Sequence, residues 1–372
     1  MSQDAFANDQ EWMRRALTVA QRGAGWTNPN PTVGAVVVRE NVLVGEGFTQ
    51  PYGGDHAEWQ ALQQAEKRAA GATLYVTWEP CVAYPNKHTP PCANRIIEAG
   101  IARVVVATQD PHPHVQGRGI ALLRQAGLDV RVGVLQDEAR HLNEISIVYH
   151  TLNRPFVCLK WAMTLDGKIA TSSNDSKWIS NKSSRTMAHR LRHRYAAILV
   201  GINTVLADDP ALTVRHISGK NPWRFVLDSS GKMPLDARML HVESDVPTTI
   251  ATTQGMPQAS ATRLTDAGAC VWRLPQRDGR PDLNALLTEM KAQGIDSVLV
   301  EGGSQTHWSF LSQGLFDKVV CFVAPKLLGG RRAPGPLGGP GFETMAQALK
   351  LTDLSVQTLD GDLVISAYPN RA

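Results

Sequence analysis

The sequence of 372 residues lacks any apolar run long enough to cross a membrane. Its longest apolar stretches are strand-sized, for example residues 198–200 and 319–324, whereas a membrane helix needs about 20 consecutive apolar residues. Residues 1–8 are polar and lack the apolar centre of a secretory signal. We therefore expect a cytoplasmic protein that makes no membrane contact.

Cysteine is scarce, and basic residues are not clustered. The five cysteines are an odd number spread over both halves of the chain, a pattern that does not fit a disulfide framework. No run of five or more Lys or Arg occurs, and the net charge is only +4. This charge suits a phosphorylated substrate, but it is too small and too dispersed to indicate a nucleic-acid partner.

The length of the chain exceeds the size at which one hydrophobic core keeps growing, so we expect two domains. Helix and strand patterns alternate in both halves, which indicates layered α/β folds. After a predicted helix over residues 138–149, the pattern restarts with an alternating strand over 156–163. We place the domains at residues 1–150 and 151–372.

Three local patterns add detail to this predicted two-domain fold. Asp9 is predicted to cap the first helix, because it directly precedes an apolar helical face. The Gly/Pro-rich residues 328–341 are predicted to form a long surface loop. The Gly-Gly pair at 302–303 follows a strand and opens a helix, where backbone amides and the helix dipole favour an anion. It is not the Gly-x-Gly-x-x-Gly fingerprint, so a Rossmann domain is not predicted.

The most specific pattern in the first half is His56-Ala-Glu58, followed by Pro-Cys81 and Pro-Cys92. One imidazole and two thiolates, His56, Cys81 and Cys92, leave the fourth tetrahedral position of Zn²⁺ open for water. Zinc lowers the pKa of such a water, so that hydroxide can attack an amino-bearing ring carbon. Glu58 is then the catalytic general acid and base, as the signature of zinc deaminases requires.

At this point the chain resembles the bifunctional deaminase/reductases of riboflavin biosynthesis, over nearly its whole length. In the first half the resemblance is carried by residues 28–34, 45–47, 56–58, 79–81 and 89–92, and in the second half by residues 160–168, 176–179, 207–215 and 301–303. It implies an N-terminal cytidine-deaminase-like three-layer α/β/α domain and a C-terminal dihydrofolate-reductase-like α/β domain.

The resemblance also implies two consecutive reactions on one phosphoribosylated pyrimidine. The first removes an exocyclic amine with Zn²⁺, and the second transfers a hydride from NADPH that opens the ribosyl group to ribityl. The implied cofactor contacts are Trp178, Thr204, Asp208, Gly302 and Gly303. The implied substrate contacts are Asn30, Ser176, Arg192, Leu212, Arg215 and Glu301. A homodimer or higher homo-oligomer is expected on the same grounds.

Two departures from the family pattern keep alternatives open. Thr49 stands where the family usually carries a His, and the segment between the two zinc cysteines is lengthened to ten residues and changed in sequence. Either Lys87 or His88 replaces the missing contacts, or the chain is a paralogue that deaminates a different pyrimidine. A reductase with an inactive first half is a further alternative. A nucleic-acid editor built on the zinc fold is disfavoured by the small net charge.

Overall fold

A computed structural model describes residues 3–85, 89–244 and 246–370. The chain divides into two compact units, Met1–Asn153 and Arg154–Ala372. This division lies three residues after the predicted one at 150/151. Both units are of the α/β class. Within the described ranges, no helix has the length and apolarity needed to cross a membrane.

Unit 1 contains a mixed sheet with helices on both faces. Its strands are β1 (Gly34–Arg39), β2 (Val42–Phe48), β3 (Thr73–Val76), β4 (Arg103–Val106) and β5 (Asp129–Val132). Its helices are α1 (Gln3–Ala20), α2 (Ala57–Ala65), α3 (Cys92–Glu98), α4 (Arg118–Gln125), α5 (Gln136–Leu142) and α6 (Glu144–Thr151). The strand order is β2-β1-β3-β4-β5, with β1 antiparallel to both neighbours and β3, β4 and β5 parallel.

Alternate residues of β1 face two different hydrophobic cores, because successive side chains of a strand point to opposite faces. Val37 packs in the core that contains Ala61 of α2, and Val36 packs in the core that contains Met13 of α1. The strand is therefore buried on both sides, and unit 1 has the three-layer α/β/α arrangement that the sequence predicts.

Two glycines of β2 bring α2 close to the sheet. A Cβ at Gly45 would lie 2.1 Å from the Ala61 carbonyl oxygen, and a Cβ at Gly47 would lie 2.4 Å from that of Ala57. Only glycine permits this approach of backbone to backbone. Since α2 begins directly after His56, these glycines fix where the metal-site residues lie.

Asp9 does not cap the first helix, so that prediction is wrong. Helix α1 already begins at Gln3, and Asp9 lies inside it and is buried. Its carboxylate accepts hydrogen bonds from Tyr75 (2.9 Å), Arg103 (2.8 Å) and Arg131 (2.9 Å). Burial opposes the charge, but these partners lower the pKa of Asp9. The residue joins α1 to the sheet through a buried ionic network.

The helix predicted over residues 138–149 is divided into α5 and α6 at Asn143. The side-chain amide of Asn143 binds the backbone of Thr32 in both directions, accepting from its N–H at 2.7 Å and donating to its carbonyl at 3.0 Å. This long-range contact interrupts the helix and ties it to the Asn-Pro loop before β1.

Unit 2 contains a long sheet that is parallel through most of its width. Its strands are β6 (Phe156–Thr164), β7 (Ala197–Gly201), β8 (Trp223–Leu227), β9 (Thr249–Thr253), β10 (Cys270–Leu274), β11 (Gln276–Arg277), β12 (Arg280–Pro281), β13 (Ser297–Val300), β14 (Lys318–Ala324), β15 (Leu351–Leu359) and β16 (Asp362–Pro369). Its helices are α7 (Lys182–Arg194), α8 (Ile202–Asp208), α9 (Gln258–Asp266), α10 (Leu283–Ala292) and α11 (Ser304–Ser312).

The main sheet has the order β10-β9-β8-β7-β13-β6-β14-β16-β15, and β11 pairs separately with β12. The strands from β10 to β14 are parallel, and β16 and β15 add an antiparallel hairpin at one edge. The sequence analysis did not predict this hairpin. Its outer strand, β15, is exposed along nearly its whole length, so it lacks the buried alternation by which strands are recognised.

Residues 328–341 are more than the predicted surface loop. The backbone of Gly329 donates to Asp166 at 2.7 Å, the Pro334 carbonyl accepts from Ile169 at 2.9 Å, and Gly338 donates to the Ser304 carbonyl at 2.9 Å. Pro334 also lines a cavity of about 850 Å³ in unit 2. The segment is thus held by contacts that are remote in sequence and contributes Pro334 to the cavity lining.

Candidate active sites

The structure brings together the three predicted metal ligands of unit 1. His56 directly precedes α2, Cys81 follows β3, and Cys92 begins α3. The His56 Nδ1 atom lies 3.3 Å from Cys92 Sγ and 3.6 Å from Cys81 Sγ, and all three ligand atoms lie within 4.8 Å of one another. Such spacing and this donor set fit a tetrahedral Zn²⁺ site with one open position.

A hydroxyl holds the imidazole in the orientation that the site needs. Thr89 Oγ1 lies 3.1 Å from His56 Nε2, so the other ring nitrogen, Nδ1, faces the two sulfurs. Partners of this kind fix the tautomer and the ring plane of a metal-binding His. In the sequence, Thr89 is only part of the motif at residues 89–92 and has no predicted role.

Glu58 lies in the first turn of α2, two residues after His56, and its side chain is buried. Burial raises the pKa of its carboxyl above the ordinary value, while the charge of His56 acts in the opposite direction. A buried carboxyl beside the three ligands can take up and release a proton without itself binding the metal.

Glu79 anchors the loop that carries Cys81, a role that the sequence analysis also missed. The Oε1 atom of Glu79 accepts hydrogen bonds from the backbone N–H groups of Gly119 (2.9 Å) and Ile120 (3.2 Å). The Oε2 atom accepts hydrogen bonds from those of Gly117 (2.9 Å) and Asp110 (3.2 Å). The carboxylate thus fastens the metal loop to the start of α4, where negative charge is favoured.

The sequence singles out four further residues of unit 1, of which the structure describes two. Thr49 is buried, and its hydroxyl accepts the Val33 N–H at 3.3 Å, so its side chain supports the backbone. Asn30 lies in the turn before β1, where its N–H binds the Thr27 carbonyl at 2.8 Å; its contact with substrate stays a prediction. Lys87 and His88 lie outside the described residues.

Unit 2 contains a cavity of about 850 Å³. Its lining includes four of the predicted contact residues: Ser176, Thr204, Asp208 and Gly303. Ser176 Oγ donates to Asp208 at 3.2 Å. The cavity continues along one face of α11 to Gln313. It therefore begins at the predicted anion-binding turn and is long enough to hold an extended ligand.

The Gly302–Gly303 turn packs closely against Thr204. Gly302 has a φ of +151°, and a Cβ on either glycine would lie 3.2 Å from Thr204 Oγ1. A side chain at Gly302 would be strained in its backbone conformation as well as crowded. The turn is thus held against α8, and Gly303 at the helix start lines the cavity, where a phosphate could be bound.

A buried ionic network joins three predicted or motif residues. Arg192 binds Glu301 with two hydrogen bonds of 2.8 Å, and Lys160 Nζ lies 3.7 Å from the same carboxylate. Burial opposes ionisation, but the two cations lower the pKa of Glu301 to about 2. The carboxylate is therefore charged at neutral pH and fixes the Arg192 guanidinium in one plane.

Arg215 is held by a different set of contacts. Its Nη1 donates to Thr213 Oγ1 at 2.8 Å, and its backbone N–H donates to His189 Nδ1 at 3.0 Å. Burial and the charge of Arg192 lower the pKa of His189 to about 4, so the ring is neutral and can accept. The Thr213 carbonyl also accepts from Arg192 at 3.1 Å. Thr213 and His189, which the sequence analysis missed, thus organise both arginines.

Two other predicted binding residues, Leu212 and Trp178, are not part of the cavity lining. Leu212 is buried in a core cluster and has a φ of +51°. Trp178 is 64% exposed and stacks under the guanidinium of Arg185, 4.6 Å away. It is not among the described residues that line the cavity. The roles of Leu212 and Trp178 in binding stay predictions.

Both halves of the chain match known protein families. Residues 6–108 match the cytidine and deoxycytidylate deaminase zinc-binding region, and residues 155–365 match the RibD C-terminal domain. These matches confirm the predicted fold of each half, a cytidine-deaminase-like domain followed by a reductase domain.

Similar proteins share the whole arrangement. The riboflavin biosynthesis protein RibD of Aquifex aeolicus is 46% identical over 96% of this chain and 97% of that protein. The protein of the same name from Escherichia coli is 39% identical over 91% of this chain and 94% of its own length. A crystal structure from Thermotoga maritima, described as a diaminohydroxyphosphoribosylaminopyrimidine deaminase/5-amino-6-(5-phosphoribosylamino)uracil reductase, is 37% identical with a TM-score of 0.84, covering 98% of this chain and 99% of that one.

Proposed function

The chain belongs to the RibD family of riboflavin biosynthesis, and from this premise we propose which of its residues carry each activity. The protein is a bifunctional enzyme, a zinc-dependent deaminase and an NADPH-dependent reductase, that acts on a phosphoribosylated pyrimidine. The comparisons give no sign of a different pyrimidine substrate or of an inactive first half. We assign deamination to residues 1–150 and reduction to residues 151–372.

In the deaminase half, His56, Cys81 and Cys92 are the proposed zinc ligands. When bound, zinc supplies its ability to lower the pKa of water and so to provide a nucleophile near neutral pH. Glu58 would accept a proton from that water and deliver it to the amine, so that the water oxygen bonds to the ring carbon while the C–N bond breaks and the amine leaves as ammonia. Thr89 holds the His56 ring so that Nδ1 remains available to the metal.

In the reductase half, the cavity beside Gly303 is the proposed NADPH site. The cofactor supplies the hydride. The Gly302–Gly303 turn and the start of α11 would hold its diphosphate, with Thr204 and Asp208 beside it. Arg192 and Arg215 bind the substrate phosphate, with Glu301 and Thr213 as their supports. Ser176, Leu212, Trp178 and, in the first half, Asn30 complete the proposed contacts.

The observation that carries the deaminase assignment is the convergence of His56, Cys81 and Cys92 beside a buried Glu58. Its test is metal removal. Dialysis against a chelator should abolish ammonia release, because the nucleophile then loses its activation. NADPH oxidation with the already deaminated compound should be unchanged, since its proposed residues lie in the other unit.

Restoring Zn²⁺ to the same sample should restore ammonia release, which serves as the control for irreversible damage. Metal content is measured alongside activity. Persistent ammonia release from protein shown to be metal-free would overturn the zinc assignment and leave the reductase assignment in place.

We also propose that the protein forms a homodimer through β15. This edge strand is nine residues long and exposes Leu351, Leu354 (67%) and Val356 (54%). An unpaired, apolar edge strand is a template for pairing with another strand. A Lys at position 356 should shift the protein from dimer to monomer in size-exclusion chromatography with light scattering, because it places a charge in the paired edge.

The matched control is Ala259→Lys, which adds the same charge at an exposed position of α9 and should leave the dimer intact. A monomeric wild-type protein, or a dimer that withstands Val356→Lys, would refute pairing through β15.

We further propose a cytoplasmic location, because none of the five cysteines, all of which the structure describes, forms a disulfide.

A further inference from the structure

A short hairpin presents two arginines side by side next to the cofactor cavity. Strands β11 and β12 pair in a register that sets Arg277 directly opposite Arg280. The turn between them has Asp278 at φ +50° and Gly279 at φ +72°, the backbone of a two-residue type I′ hairpin. Directly opposed residues of such a pair point to the same face, so the two guanidinium groups share one side of the hairpin.

A bound anion would relieve the repulsion between these two arginines. Like charges directly opposite each other destabilise an antiparallel pair. In the part of the chain that the structure describes, neither Arg277 nor Arg280 makes an ion pair. Their recorded side-chain contacts are long: Arg277 to Gln313 and Arg280 to Ser309, each at 3.5 Å. Most of their N–H donors are therefore available to a ligand.

Both contacts direct the arginines to the face of α11 that lines the cavity. Ser309 lies six residues beyond Gly303, which corresponds to about 9 Å along a helix, and Gln313 lies ten residues beyond it, about 15 Å. Arg277 and Arg280 themselves line this cavity, as does Lys232. The cavity thus has an anion-binding turn at one end of α11. Farther along the same helix it has three cations and one carboxylate, that of Asp278, which leaves a net positive charge there.

We propose that Arg277 and Arg280 bind the 2′-phosphate of the adenosine half of NADPH, and so select the phosphorylated cofactor over NADH. This inference rests on the proposed cofactor site. A dinucleotide whose diphosphate was held at Gly303 would bring the 2′-phosphate, the dianionic group one ribose away, toward these arginines if its adenosine followed α11. Paired guanidinium donors suit a phosphate monoester, whereas the neutral 2′-hydroxyl of NADH gains nothing from their charge.

The test is equilibrium binding to the full-length, zinc-loaded protein, measured by calorimetry with 2′,5′-ADP and 5′-AMP. These probes differ only in the 2′-phosphate. The ratio of their affinities therefore measures how much that phosphate contributes to binding. Wild-type protein should bind 2′,5′-ADP more tightly than 5′-AMP. Arg277→Gln together with Arg280→Gln should weaken 2′,5′-ADP by about tenfold or more and change 5′-AMP by less than about twofold.

Arg263→Gln is the matched control, because it removes one positive charge from exposed α9 of the same unit and should leave both affinities unchanged. Ammonia release and thermal stability of the double variant should equal those of the wild type, which excludes misfolding. NADP⁺ and NAD⁺ titrations should reproduce the loss of selectivity.

Failure of the inference about the hairpin can be distinguished from failure of the proposed cofactor site. A double variant that keeps the wild-type preference for 2′,5′-ADP overturns the role of the hairpin and leaves the cofactor site standing. Wild-type protein that binds the two probes equally, yet still oxidises NADPH, also overturns it. If the wild type binds neither probe nor NADP⁺, the proposed cofactor site fails together with the inference.

Discussion

Replacing Glu58 by Gln will lower ammonia release by about 10²–10⁴-fold, the range that a positioned general acid and base contributes. Glutamine keeps the size and most of the hydrogen bonding of the side chain, but it cannot carry the proton from water to the departing amine. Because Glu58 is not a proposed ligand, zinc content should remain equal to that of the wild type. NADPH oxidation of the already deaminated compound should also be unaffected.

Glu66→Gln provides the matched control for this substitution. Glu66 follows α2 and is exposed, so the same change of charge there should leave ammonia release unchanged. A Glu58→Gln protein that binds zinc and releases ammonia at the wild-type rate would contradict the role assigned to Glu58. Loss of zinc in the variant would show instead that Glu58 supports the metal site.

Replacing Glu301 by Gln will lower kcat/KM of the reductase by about 10- to 100-fold, because charge-assisted hydrogen bonds contribute about 1.5–3 kcal/mol. The variant leaves Arg192 without its bidentate carboxylate and Lys160 without its neighbouring charge. Misplacement of Arg192 should raise KM for the phosphoribosyl substrate in particular. Calorimetric binding of NADP⁺ should change little.

The pH dependence of this network has a definite sign. The pKa of Glu301 is lowered from 4.5 to about 2. Its ionic contribution to stability is therefore fully present above pH 4.5 and is lost as the pH falls toward 2.

Glu343→Gln, at an exposed position of the same unit, is the control for the kinetics of Glu301→Gln. Unchanged kinetics in Glu301→Gln would contradict the substrate-side role of the network.

Much of the metal centre could be predicted from sequence because each ligand lies in a short motif with its own chemistry. His56 and Glu58 are two residues apart at a helix start, and each cysteine follows a Pro. The supporting contacts could not be predicted in this way. Thr89 is close to His56 only after β3 and α3 have packed, and the four amides that bind Glu79 belong to the start of α4 and the residues before it, far away in sequence.

The errors in the predicted fold have the same origin. Asp9 has the sequence position of a helix cap, but its partners Tyr75, Arg103 and Arg131 come from three different strands. Asn143 interrupts a pattern that is helical in isolation, because its amide pairs with the Thr32 backbone. Local propensity was outweighed in both places by long-range hydrogen bonds.

The reductase half shows a further limit of sequence reasoning. Residues 328–341 have the composition of a loop, and only the folded chain shows that Pro334 among them lines the cavity. Arg277 and Arg280 are unremarkable in sequence, being two exposed arginines around an Asp-Gly turn. Their significance depends on the register of the hairpin and on its position beside α11.

The most direct test of the account supplies the zinc-loaded protein with the diaminopyrimidine ribosyl phosphate and NADPH, and follows ammonia and NADPH together. We expect ammonia to appear first and NADPH oxidation to follow in equal amount, with ammonia alone when NADPH is omitted. Failure to release ammonia, with NADPH oxidation observed only on the already deaminated compound, would contradict the bifunctional assignment and leave a reductase joined to a domain of another specificity.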